Sequence, residues 1–239
     1  MSITKTVDLQ KYIDNKNRSL YNSLSKDFEI SLSQIVHERA DGNNSLWFCR
    51  INQNEVNISY YLDINTSAFF THELLHVDLI KNGFTNFIEL MPFIQETSRK
   101  ELIFTGIIGH INNILGHAKF YDNFISLGYT PEEFTNDYHS KINIDEIKNR
   151  VNDRFYDNSL PNESLCHYIT SFFSAKDNRN PDRTNDYEEL LIFLKNTDER
   201  LYEILEQCWS SWTRNDTLDN RTLLENLFEN TEQWHKSRN

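Results

Sequence analysis

Thr71-His72-Glu73-Leu74-Leu75-His76-Val77 is the stretch on which the reading of this sequence turns. It holds two histidines four residues apart, with a glutamate directly after the first, inside an apolar segment long enough to be a helix. On a helix, positions i and i+4 share one face, so His72 and His76 can each offer a ring nitrogen to one Zn²⁺ at about 2.0 to 2.1 Å. Glu73 points into the same cleft, where its carboxylate can take a proton from an attacking water and later pass it to a leaving amine.

Both ends of this helix are marked. It follows a strand-like run, has Asn65 and Thr66 as N-cap candidates, and closes at Asn82-Gly83, a good C-cap pair. Phe70, Leu74 and Val77 fall on the face opposite the histidines, and Phe69 and Ile80 flank them, which predicts a helix buried nearly all round. Two histidines and a glutamate left unpaired there would be costly, and a metal removes the difficulty. The competing reading is a partly exposed helix whose histidines bond to neighbouring side chains.

These residues resemble the active-site helix of the zincin superfamily of H-E-x-x-H zinc metallopeptidases, and the resemblance covers this helix and one later ligand. It implies a zinc-dependent hydrolase that cleaves a peptide or protein substrate, with Zn²⁺ as cofactor and Glu73 as general base and then general acid. It also implies a small sheet packed on the helix, an edge strand of which can hold an extended peptide. The longer metzincin pattern is absent, because Asp78 to Lys81 continue without it. A gluzincin-like site would draw a glutamate from a following helix, for which Glu96 and Glu101 are available, and Asp122 is a further carboxylate candidate.

Upstream, residues 9 to 39 mix Leu20, Leu24, Phe28, Ile30, Leu32 and Ile35 with charged positions at near-helical spacing, which predicts one or two amphipathic helices ending near His37. Asp41-Gly42-Asn43-Asn44 breaks the chain. Two runs of period-two character follow, Leu46 to Ile51 and Val56 to Asp63, and predict a β-hairpin through Asn52-Gln53-Asn54-Glu55.

Downstream, Met91-Pro92 leads to Ser98-Arg99-Lys100-Glu101, a capping-box pattern that opens a second helix running through Leu115 towards Gly128. Gly106, Gly109 and Gly116 lie inside it, while His110, Asn113 and His117 share one face at i, i+3 and i+7. A polar, glycine-rich stripe on an apolar helix fits a metal-facing element. Catalytic zinc takes three protein ligands and keeps one open position. His117 is the choice for the third ligand, with His110 the close competitor. Whichever of the two does not ligate could orient substrate or serve an oxyanion, as could Asn113. Thr130-Pro131-Glu132-Glu133 starts a further helix with Tyr138 and His139 near its end. Helices are then expected over 144–154, 161–175, 187–212 and 222–234, with Trp209 and Trp212 on an apolar face and a linker-like break over 176–183.

Composition narrows the function classes. A balance of 24 basic against 36 acidic residues, net −12, argues against a phosphate-binding surface, so no nucleic-acid partner is expected. No apolar run reaches the roughly 18 residues of a membrane span, and Met1 to Leu20 lacks the core of a signal peptide. Cys49, Cys166 and Cys208 fit reduced thiols, to which the sequence assigns no chemistry. The expectation is therefore a cytoplasmic protein with no membrane association. Its fold class is α+β, mainly α-helical, with a small hairpin or sheet on the H-E-x-x-H helix. It is read as one domain over 1–239, with a catalytic core of about 40–140 and a helical extension of about 141–239. The alternative function is a non-catalytic, zinc-stabilised interaction protein on the same core.

Overall fold

The computed structural model describes residues 3–36, 47–61, 66–86, 89–90, 105–135, 138, 143–152 and 163–238. The protein is mainly helical with one small mixed sheet, the α+β class that the sequence predicts. The chain divides into two compact units, Met1–Asn82 with Phe120–Ser140, and Gly83–Lys119 with Lys141–Asn239.

The first unit holds the sheet, in the order β1 (Ile3–Thr6), β2 (Glu29–Val36), β4 (Glu55–Tyr60), β3 (Trp47–Asn52). β1 and β3 are its edges. β3 and β4 form the expected hairpin, pairing Asn52 with Glu55 and Cys49 with Ile58. The tight turn puts Gln53 at φ 54°, the left-handed region that such turns demand.

Residues 9–39 correct the helical expectation. Among the described residues of this stretch, only Arg18–Leu24 forms an α-helix, α1, preceded by a single 3-10 turn at Leu9–Tyr12, while Glu29–Val36 is a strand. Ile30 and Leu32, both buried, alternate with serines, a period of two hidden inside a longer apolar stretch. The parallel pairing of β2 with β4 decides the matter, and it is reinforced where the Ser33 and Ser59 hydroxyls meet at 2.9 Å. Strand pairing of that kind joins residues far apart in sequence, which local spacing does not register. His37, the break at 41–44 and Leu46 lie outside the described residues.

The H-E-x-x-H segment is α2, Ser67–Lys81. Thr66 caps it, its hydroxyl oxygen accepting from the Phe69 N–H at 3.3 Å, and it closes through Asn82 into Gly83 at φ 105°. Phe70, Leu74 and Val77 are fully buried in one core with Leu32, Val56, Ile58 and Tyr60. Each such side chain contributes roughly 1.5–3 kcal/mol by leaving water. β3 packs on α2, with the Trp47 and Phe69 rings stacked at 6.5 Å.

The second predicted helix is α3, Thr105–Ser126, one continuous element closed by Gly128 at φ 94°. Met91-Pro92, the capping box at 98–101, and with them Glu96 and Glu101, lie outside the described residues. Pro131–Glu133 is only a 3-10 turn, shorter than the expected helix, although the Glu133 carboxylate accepts from the Thr130 N–H as the capping pattern requires.

The later helices are α4 (Ile144–Asn152), α5 (Glu163–Lys176), α6 (Thr184–Thr197), α7 (Glu199–Arg214) and α8 (Asn220–Lys236). The single helix expected over 187–212 is broken at Asp198, which leaves helical geometry at φ −153° and caps α7 by accepting from the Leu201 N–H at 2.8 Å. An Asx side chain competing for a backbone N–H is the physical reason. Among the described residues, no helix is long and apolar enough to cross a membrane.

Candidate metal centre

α2 brings the first two candidate ligands together, as its spacing predicts. The Nε2 atoms of His72 and His76 lie 3.2 Å apart. Two nitrogens held at 2.0–2.1 Å from a tetrahedral ion would stand about 3.3–3.4 Å from each other. The pair is therefore already at the separation of ligands on one ion. His72 is buried and His76 half-buried. Aromatic rings wall them in: Phe134 lies 4.8 Å and Phe120 5.1 Å from the His72 ring, and Phe120 lies 4.7 Å from His76.

α3 carries His117, one helical turn before Phe120. Its Nδ1 lies 2.8 Å from Asp177 Oδ2, and its Nε2 lies 3.1 Å from the side-chain nitrogen of Asn113. A carboxylate only accepts, so the ring donates through Nδ1–H, and Nε2 carries the lone pair that accepts from Asn113. The ligand atoms of His72, His76 and His117 all lie within 4.8 Å of one another, a group that could hold a metal ion. Three imidazole nitrogens converging, one of them with its tautomer set by a carboxylate, fit a borderline divalent cation.

Glu73 is buried, and burial pushes its carboxyl from the ordinary 4.5 up to about 7, against the opposing effect of hydrogen bonds from the Cys49 thiol and backbone N–H. The Cys49 thiol is itself pushed well above its ordinary range, by burial first and by the Glu73 carboxylate second. Cys49, to which the sequence assigns no chemistry, is thus the immediate neighbour of the candidate base. The hairpin that carries Cys49 is legible in the sequence, but the packing of α2 on β3 that brings it to Glu73 is a tertiary fact.

Of the remaining predicted residues, His110 places its Nε2 3.0 Å from the Ser174 hydroxyl and is not in the histidine cluster. Asn113 is exposed and stays beside His117. Asp122 is exposed and Tyr138 half-buried, while His139 lies outside the described residues. Asp177, in the stretch read as a linker, is the residue that the sequence hides most completely, 60 positions from the histidine it touches.

Comparison with protein-family models finds no match, and comparisons with curated proteins and with solved structures find none either.

Proposed function

We propose that this protein is a zinc-dependent hydrolase of the zincin-like kind, acting on a peptide bond. The observation that carries the proposal is the convergence of His72, His76 and His117 on the helix that also bears a buried glutamate of near-neutral pKa. His72, His76 and His117 would hold the ion. Zinc is favoured because three imidazole donors are one of its usual catalytic sets. When bound, the ion supplies Lewis acidity towards a carbonyl oxygen and towards water.

The chain's own groups do the rest. Glu73, poised near 7, takes a proton from the attacking water at its carboxylate and returns it to the leaving amine, since a group titrating near the working pH is competent in both directions. The Cys49 N–H and thiol, both donating to that carboxylate, limit its rotation. Phe120, Phe124 and Phe134 keep bulk water from the buried side of the histidines, which strengthens every charge interaction there. Once an ion takes the His117 Nε2 lone pair, the exposed amide of Asn113, which otherwise donates there, would be available to an oxyanion.

The same aromatic walls favour a second reading, in which the ion chiefly stabilises a non-catalytic interaction protein. One experiment separates them. Metal content by mass spectrometry should show about one zinc per chain in the wild type, and loss of it in His76→Ala and His117→Ala. Glu73→Gln should keep the zinc and lose cleavage of a peptide library. Zinc binding with no cleavage by the wild type, and a large fall in Tm on chelation, selects the structural role. No zinc uptake at all defeats both.

A further inference from the structure

The histidine cluster has a support outside its three ligands. Asp177 stands just past the end of α5 and divides its two carboxylate oxygens: Oδ2 lies 2.8 Å from His117 Nδ1, and Oδ1 accepts from the Arg179 guanidinium at 3.1 Å. The side chains of Asp177 and His117 are 11% and 7% exposed, so this carboxylate is not an ordinary surface charge. Its backbone is tied down on the C-terminal side. The Asn178 side-chain oxygen Oδ1 accepts from the Asn180 N–H at 3.0 Å, and the side-chain oxygen of the buried Asn180 accepts from the Asp182 N–H at 2.9 Å. The stretch that looks like a linker in the sequence is a hydrogen-bonded mount.

We propose that Asp177, steadied by Arg179, is a positioning residue that holds His117 in its Nδ1–H tautomer with Nε2 presented to the metal. This rests on the metal-site reading above. A neutral imidazole exchanges readily between two tautomers and can turn about its ring axis, and only one combination puts a lone pair at Nε2 in the direction of His72 and His76. An acceptor-only carboxylate at Nδ1 selects that tautomer and that ring orientation together. The Asn113 amide nitrogen faces Nε2 as a donor, which requires the same tautomer, and a bound ion would take its place at that lone pair. Arg179 prevents the carboxylate from swinging away, because a carboxylate held at both oxygens has no free rotation left. Its charge also balances Asp177, which keeps the buried acid from standing alone.

The test measures Zn²⁺ affinity by competition with a chromogenic chelator, in wild type, His117→Ala, Asp177→Ala and Asp177→Asn, beside the imidazole ¹⁵N spectrum of the metal-free wild type. Asp177→Ala is expected to bind about 10- to 100-fold more weakly than the wild type, the usual effect of removing such a partner. The His117 resonances should report a protonated Nδ1 and an unprotonated Nε2. Asp177→Ala with wild-type affinity, or a His117 ring protonated at Nε2, overturns the proposal while leaving the metal site standing. Wild-type zinc binding that His117→Ala does not weaken overturns it as well. A wild type that takes up no zinc removes the proposed function and this inference together. If Asp177→Ala fails to fold, the affinity of Asp177→Asn and the wild-type ¹⁵N spectrum still decide.

Discussion

The Asn17 side-chain nitrogen lies 2.9 Å from the Thr71 hydroxyl, both residues fully buried, and joins the start of α1 to the residue that precedes His72. Asn17 also donates to the Tyr12 carbonyl at 2.8 Å and accepts from the Asp14 N–H at 3.0 Å. Thr71 further meets the Tyr129 hydroxyl at 2.9 Å. The position of His72 is therefore backed by a polar network as well as by apolar packing. Asn17→Ala strands several buried partners and should cost about 2–4 kcal/mol, since an orphaned buried polar group loses roughly 1–3 kcal/mol. Urea denaturation of the metal-free protein reads this, and a loss under about 0.5 kcal/mol would show that the network is not maintained in solution.

Glu73 gives the metal-free protein a pH dependence whose sign follows from its burial. The folded chain keeps a proton on Glu73 up to about 7, whereas the unfolded chain releases it near 4.5. Between those values the native state binds more protons, so stability is fully present below about pH 4.5 and falls as pH rises through 7, by about 3 kcal/mol over the window. Glu73→Gln should abolish this slope in the presence of a chelator. The same slope in that variant would assign it to another group.

Cys49 modulates that carboxyl. Its thiol hydrogen bond favours the ionised form of Glu73, so Cys49→Val should move the Glu73 midpoint above about 7, while Cys49→Ser, which keeps a donor, should restore it towards the wild type. The backbone N–H of residue 49 remains in all three proteins, which limits the change to one hydrogen bond. The pH dependence of stability of the three chelated proteins measures it, and a downward shift in Cys49→Val would refute the contact.

In the second unit, Trp212 is 1% exposed and donates from Nε1 to the Leu115 carbonyl at 2.8 Å. Trp212→Ala should cost about 3–5 kcal/mol through the cavity, and Trp212→Phe less, by the lost hydrogen bond and a smaller void. Comparing the two in denaturant titrations separates packing from the polar bond. Equal losses would mean that the indole N–H contributes most of the effect.

Much of the site was legible because its parts are local. Thr66, the apolar face of Phe70, Leu74 and Val77, and the Gly83 stop define α2 within one stretch of chain, and a helix carries residues four apart to the same side whatever else the protein does. The hairpin was legible for the same reason, since its turn and alternating strands are neighbours in sequence. The i, i+3, i+7 stripe of α3 likewise marked His110, Asn113 and His117, but it did not say which histidine faces the others.

Sequence by itself therefore determined the helix that presents His72, Glu73 and His76, and the chemistry those residue types can perform. Only the tertiary structure decided that His117 joins them while His110 bonds to Ser174, that Glu29–Val36 is a strand, and that Cys49 and Asp177 touch the site. The physical reason is range. A helical face or a tight turn is set by bonds between residues a few positions apart, whereas strand pairing, a buried carboxyl's environment and a histidine's tautomer depend on groups brought together from distant parts of the chain by burial of the core.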